Sequence, residues 1–155
     1  MLFLLFQLGP DRYALDAGRV VEVVPFLGMK RLPQAPKGLA GIFNYRGRPV
    51  PALDLSELAI GHPARERLST RIIIVKCPDS SGQEQLLGLI AENATEMVRK
   101  DPKDFVAPGV RVEAAPYLGP VLMDRDGTIQ WLDDKRLLSE PLRQLLFSDP
   151  LQLNP

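Results

Sequence analysis

The stretch GIFNYRGRPVPALDL, residues 41–55, decides how the rest of the chain reads. Gly41 and the apolar pair Ile42-Phe43 lead into Asn44-Tyr45-Arg46-Gly47, and an alternating run resumes over residues 49–55. Apolar segments on either side of an Asn/Gly-bearing turn predict two strands joined by a tight loop. Arg46 stands at the tip, between an aromatic residue and a glycine, with no acidic residue close in sequence. It is either a solvated turn residue or an anchor held out toward a partner.

Working outward, residues 2–8 and 12–15 form apolar runs around Gly9-Pro10-Asp11, which predicts a hairpin. Residues 20–24, VVEVV, have strong β character with Glu22 in the middle. That carboxylate either faces solvent from a half-buried strand or reaches for a cation; Arg46 in turn pairs either with Glu22, which would position the turn, or with an acid on a partner. Three prolines and two glycines over residues 25–38 predict an irregular loop, and SELA at 56–59 allows one helical turn. Residues 71–77 read as a strand, 85–92 and 95–99 as two more, and 101–115 as a loop. Residues 117–124 and 128–132 flank Asp-Arg-Asp-Gly, a hairpin turn signal. The end changes period. Leu137, Leu138, Leu142, Leu145 and Leu146 fall at helical spacing over 133–147, with Asp133 or Asp134 as cap. Pro141 predicts a kink there or two shorter helices.

Nine or ten short strands and one late helix predict a mostly β chain of small barrels or a sandwich. The 15 prolines agree, because at roughly twice the ~5% norm they exclude long helices and central strands. The 155 residues suffice for one domain with a core or two small subdomains. Lys plus Arg and Asp plus Glu both number 19, so the formal net charge is zero. That balance argues against a nucleic-acid partner. The single cysteine, Cys77, cannot form an internal disulfide, in keeping with a reducing compartment. The apolar start, residues 1–6, lacks the basic region and cleavage site of a signal peptide, and no apolar run is long enough to span a membrane.

The sequence carries no catalytic constellation. His62 is the sole histidine, in a Gly-His-Pro loop. One histidine and one cysteine make no usual zinc site, and no nucleophile elbow, HExxH or phosphate-binding loop occurs. Asp124, Asp126 and Gly127 are a fragment of a calcium loop without its remaining ligands, better read as a hairpin turn. The expectation is a protein that is no enzyme, with no cofactor and no metal.

Taken together, Tyr13-Ala14-Leu15-Asp16, Val20-Val21-Glu22-Val23, Gly41-Ile42-Phe43-Asn44-Tyr45-Arg46-Gly47 and Pro51-Ala52-Leu53-Asp54-Leu55 occur in an order that resembles the CheW-like domain of bacterial chemosensory systems. Later blocks, Leu87-Gly88-Leu89-Ile90-Ala91-Glu92 and the hairpin ending at Leu132-Asp133, extend the resemblance across residues 2–147. The resemblance implies a single domain over 2–147, built of two intertwined, five-stranded SH3-like β-barrels on a shared core, with a C-terminal helix and a tail at 148–155. It implies a non-catalytic adaptor in the cytoplasm. Such an adaptor couples the cytoplasmic tip of a chemoreceptor to the regulatory domain of a CheA-type histidine kinase, and meets the membrane only through the receptor. Val20, Glu22, Gly41, Asn44 and Arg46 match positions at or near partner contacts, and Ala94 and Met97 an apolar patch that serves one. Gly47 and Asp54 match structural positions. This chain departs from the pattern at Tyr45, commonly Leu, at Ser56, commonly Arg, and at Glu92-x-Ala94-x-x-Met97, commonly Asp-x-Val-x-x-Val. These departures suggest an alternative pathway, such as surface sensing or biofilm control. The other readings are a stand-alone β-barrel interaction module and a small-molecule binder using the barrel seam.

Overall fold

A computed structural model describes residues 1–147. The tail at 148–155 lies outside the described residues. Nine strands are present among them: β1 (Leu2–Leu8), β2 (Asp11–Asp16), β3 (Val20–Pro25), β4 (Leu39–Tyr45), β5 (Arg48–Asp54), β6 (Arg71–Pro78), β7 (Glu84–Arg99), β8 (Leu118–Asp124) and β9 (Gly127–Leu132). Two short helices complete the set, α1 (Leu55–Ile60) after β5 and α2 (Glu140–Leu145) near the end.

The strands form two small units that share β7. Its first half pairs antiparallel with β6 and parallel with β5, giving the order β3-β6-β7-β5-β4. Its second half pairs antiparallel with β1, giving β7-β1-β2-β9-β8. Each unit therefore has five strands although the chain supplies nine. The expected pair of strands at 85–92 and 95–99 is instead one strand of 16 residues. Asn93 explains the difference. At φ +50 it makes a bulge, not a turn, and its side-chain amide donates to Gln7 Oε1 on β1.

Burial follows the two-residue period of strands. Leu4, Phe6 and Leu8 of β1 and Ile73 and Val75 of β6 face a central core between the units. Phe3 and Leu5 face one barrel interior with Phe105, Leu122 and Ile129. Ile72 and Ile74 face the other with Phe43, Val50 and Ile90. Strands buried on both faces need unbroken apolar runs, which is why RIIIVKC shows no alternation.

The last segment is not one helix. Asp133 caps a 3-10 turn over Asp134–Arg136, and Ser139 caps α2. Pro141 sits in the first turn of α2, where its missing N–H costs no hydrogen bond. The helical turn expected at 56–59 is α1, capped by the Asp54 carboxylate and ended at Gly61.

Candidate partner-binding surface

The β4–β5 hairpin is tighter than the sequence implied. Tyr45 pairs with Arg48, so the turn proper is the two residues Arg46 and Gly47. Both have positive φ, +52 and +84, the signature of a type I′ turn. Glycine adopts that geometry freely; an arginine there is strained and needs support. Asn44 supplies part of it, its Oδ1 accepting from the Gly47 N–H at 2.7 Å.

Glu22 supplies the rest. It lies on β3, where the register against β6 slips between Val20 and Glu22. The Tyr45 hydroxyl donates to Glu22 Oε2 at 2.7 Å. Arg46 Nη2 donates to Oε1 at 3.0 Å and to Oε2 at 3.3 Å. The guanidinium also lies 5.3 Å from the centroid of the Tyr45 ring. Glu22 thus takes the second of its two possible roles and finds its cation in Arg46. The Tyr45 hydroxyl, and then the Arg46 guanidinium, hold the Glu22 carboxyl below the usual carboxylate range. The bond to Glu22 in turn raises the Tyr45 phenol and the Arg46 guanidinium. The pairing does not bury the arginine, whose side chain remains 73% exposed.

The other expected site residues scatter. Val20 is half-buried against the central core, and its neighbour Val21 is the outward residue. Gly41 is buried at φ +152 beneath Lys30, where a Cβ would stand 2.2 Å from the Lys30 carbonyl oxygen. Its role is to let Lys30 and Ile42 exchange two backbone hydrogen bonds of 2.8 and 2.9 Å. Gly41 therefore offers no surface to a partner. Ala94 is also core rather than surface, at 1% exposure. The bulge at Asn93 shifts the alternation by one residue, so Ala91 and Ala94 both face the central cluster. Met97 is exposed on the second half of β7, opposite Leu4. Asp54 is buried and accepts from the N–H groups of Glu57 at 3.2 Å and Ala64 at 2.9 Å, fixing α1 and the loop behind it.

The model of the CheW-like domain family matches residues 2–142. The chain belongs to the CheW-like domain family. It is 31% identical over 104 residues to the chemotaxis protein CheW of Helicobacter pylori, covering 66% of this chain and 59% of that protein. It is 25% identical over 148 residues to the chemotaxis protein CheW of Treponema pallidum, covering 91% and 84%. Among solved structures it is similar to the scaffolding protein TtCheW of Thermoanaerobacter tengcongensis, with a TM-score of 0.75 and 26% identity over 89% of this chain and 87% of that one. The family is one of non-catalytic adaptors with a fold of two SH3-like subdomains, which the two five-stranded units match.

Several side chains that shape this CheW-like domain escaped the sequence reading. Arg19, between β2 and β3, pairs with Asp134 at 3.0 Å and donates to the Lys76 carbonyl oxygen at 2.8 Å. Arg12 grips both carboxylate oxygens of Asp124. Arg65 donates to buried Glu92 at 2.9 Å. Phe3, Phe105 and Trp131 form an aromatic cluster with centroids 4.8–5.3 Å apart. Asp134, Asp124 and Glu92 carried a signal, as a cap candidate, as part of a hairpin turn and as a departure from the family pattern, but their cations did not. Cys77 is buried and burial pushes its thiol up. Among the described residues no group of His, Cys, Asp and Glu side chains is placed to hold a metal, and no helix is long and apolar enough to cross a membrane. An open groove lies beside Pro33, Pro36, Pro49, Pro51 and Phe147.

Proposed function

We propose that this chain is a scaffold that couples the cytoplasmic tip of a chemoreceptor to the regulatory domain of a CheA-type histidine kinase. Family membership and likeness to the chemotaxis relatives support the role. The observation that carries it to a particular surface is Arg46, an exposed guanidinium on a two-residue turn, braced by Glu22 and Tyr45. A cation braced before binding loses little side-chain freedom when it meets an acceptor, so its contact converts efficiently into affinity. Met97 gives a second, apolar contact on the other barrel. The site of action is the cytoplasm, at receptor arrays, with the membrane reached only through the receptor. The changes at Tyr45, Ser56 and Met97 fit service in an alternative chemosensory pathway.

The test is reconstitution. The chain is mixed with kinase and receptor fragments, and kinase activity and co-sedimentation are measured with and without it. The expected result is receptor-dependent control of the kinase that requires the chain and weakens sharply with Arg46→Glu. A chain that binds neither fragment overturns the proposal and favours a stand-alone interaction module. A melting shift with a small molecule, in the absence of either protein, favours the seam-binding alternative.

A further inference from the structure

The seam of the barrel built from β3 to β7 is open along its backbone. Strand β3 pairs only with β6, and β4 pairs with β5 and, through Ile42, with Lys30. Among the described residues no ladder joins β3 to β4. What crosses the gap is side chain: the Tyr45 hydroxyl on β4 to the Glu22 carboxylate on β3, at 2.7 Å. The Tyr45 ring is fixed from behind, packed with Val24, Phe26 and Met29 against the cluster that includes Phe43 and Ile72. The hydroxyl is therefore delivered by an anchored ring rather than by a free side chain.

The consequence falls on Arg46. Its Nη2 bonds to both oxygens of the carboxylate that Tyr45 holds, at 3.0 and 3.3 Å, and its guanidinium lies over the same ring. A carboxylate on one flexible stem would let that guanidinium sweep a wide arc. Held at Oε2 by a phenol, the carboxylate turns less freely. We propose that Tyr45 is a positioning residue: its hydroxyl fixes the Glu22 carboxylate and thereby aims the remaining Arg46 donors, Nε and Nη1, at an acceptor group on the partner. This rests on the reading of Arg46 as a partner contact. Tyr45 itself need not touch the partner; it sets the direction of the group that does.

The experiment uses the full chain and the single-atom variant Tyr45→Phe, which keeps the ring and removes only the hydroxyl. Three readouts are taken: the carboxyl carbon titration of Glu22 by NMR, the affinity for a receptor-tip fragment and for the kinase regulatory domain, and the thermal melt. Arg46→Glu is the control. The expected result is a Glu22 carboxyl that titrates at higher pH in Tyr45→Phe, and an affinity for at least one partner reduced about threefold to tenfold, the scale of one lost hydrogen bond. The melt should change little. The double variant Tyr45→Phe with Arg46→Ala should bind no worse than Arg46→Ala alone, because both changes act through one group. An unchanged Glu22 titration overturns the inference whatever the partners do. Full affinity in Tyr45→Phe, with loss in Arg46→Glu, overturns it and leaves the partner site standing. A variant that only melts lower, with unchanged affinity, marks Tyr45 as seam packing and also overturns it. If Arg46→Glu binds normally, the partner site itself is wrong and this inference falls with it.

Discussion

Arg19 and Asp134, 115 residues apart, close the junction between the two barrels: Nε reaches both carboxylate oxygens, at 3.1 and 3.3 Å. The Asp134 side chain is 5% exposed and that of Arg19 28%. Removing Arg19 leaves a buried carboxylate without its cation, which costs more than the intact pair contributes. Arg19→Ala should destabilise the fold by about 1–3 kcal/mol, below the fully buried case because Arg19 is partly solvated. Urea denaturation measures it. The double change Arg19→Met with Asp134→Leu should recover part of the loss; a single variant as stable as the parent would show that the pair does not hold the junction.

Arg46 occupies a backbone conformation that glycine adopts without strain, at φ +52. Arg46→Gly should therefore melt at or above the parent temperature while partner affinity falls, a separation of stability from function expected of a strained contact residue. Differential scanning calorimetry and a binding titration on one preparation decide it. A marked drop in melting temperature would mean that the Glu22 pairing outweighs the strain.

At Gly41 the outcome is the reverse. A Cβ there cannot coexist with the Lys30 carbonyl at 2.2 Å, so Gly41→Ala must break the Lys30–Ile42 hydrogen bonds or displace the loop. A loss of about 2–4 kcal/mol is expected. Any loss of partner binding should track the unfolded fraction, since Gly41 is buried.

Ala94 and Met97 should likewise part company. Ala94→Leu overfills the central core and should cost about 1–3 kcal/mol. Met97→Ala removes an exposed side chain and should leave the melt within a degree or so, about what a neutral surface change gives. If the apolar patch serves a partner, only Met97→Ala lowers the affinity of fully folded protein.

Acid should unfold the protein through groups that can be named. The Asp79 carboxyl lies at about 2, held down first by the Ser81 hydroxyl, then by the Gln85 amide and the N–H groups of Ser81 and Gln83. Asp124 is lowered chiefly by Arg12, and Glu22 by Tyr45 and Arg46. A carboxyl depressed in the folded state stabilises the fold above its unfolded value and loses that contribution as pH falls through its folded value. Stability should thus fall from about pH 4 toward pH 2. Asp79→Asn should flatten part of that fall when urea midpoints are plotted against pH, and an unaltered slope would remove Asp79 from the account.

Much of the fold was legible because strands and turns are written locally. Residues 71–77 read as a strand from their β-branched run, and Pro141 announced the break before α2. The shared strand was not legible. Asn93 looks like a turn former, and only pairing with β1 holds it as a bulge within one continuous strand. That same bulge defeated the reading of Ala94, since motif matching gives a position and alternation gives a face, and alternation slips there. The candidate site was half legible. Arg46 and Glu22 each stood out as charges in apolar company, but the bond between them spans a seam that no local pattern records. Tyr45 entered the sequence reading only as a departure from a pattern, because a phenol's hydrogen bond depends on which strand lies opposite.

Strand β7 serves as a paired strand in both barrels from the same 16 residues. Neither barrel is then a part that can be cut out or exchanged. A protease that nicks the chain within β7 should release no stable half, and amide exchange should report one slow opening rather than two. A scaffold whose two barrels share one continuous strand has, among its described residues, no domain boundary at which they could part.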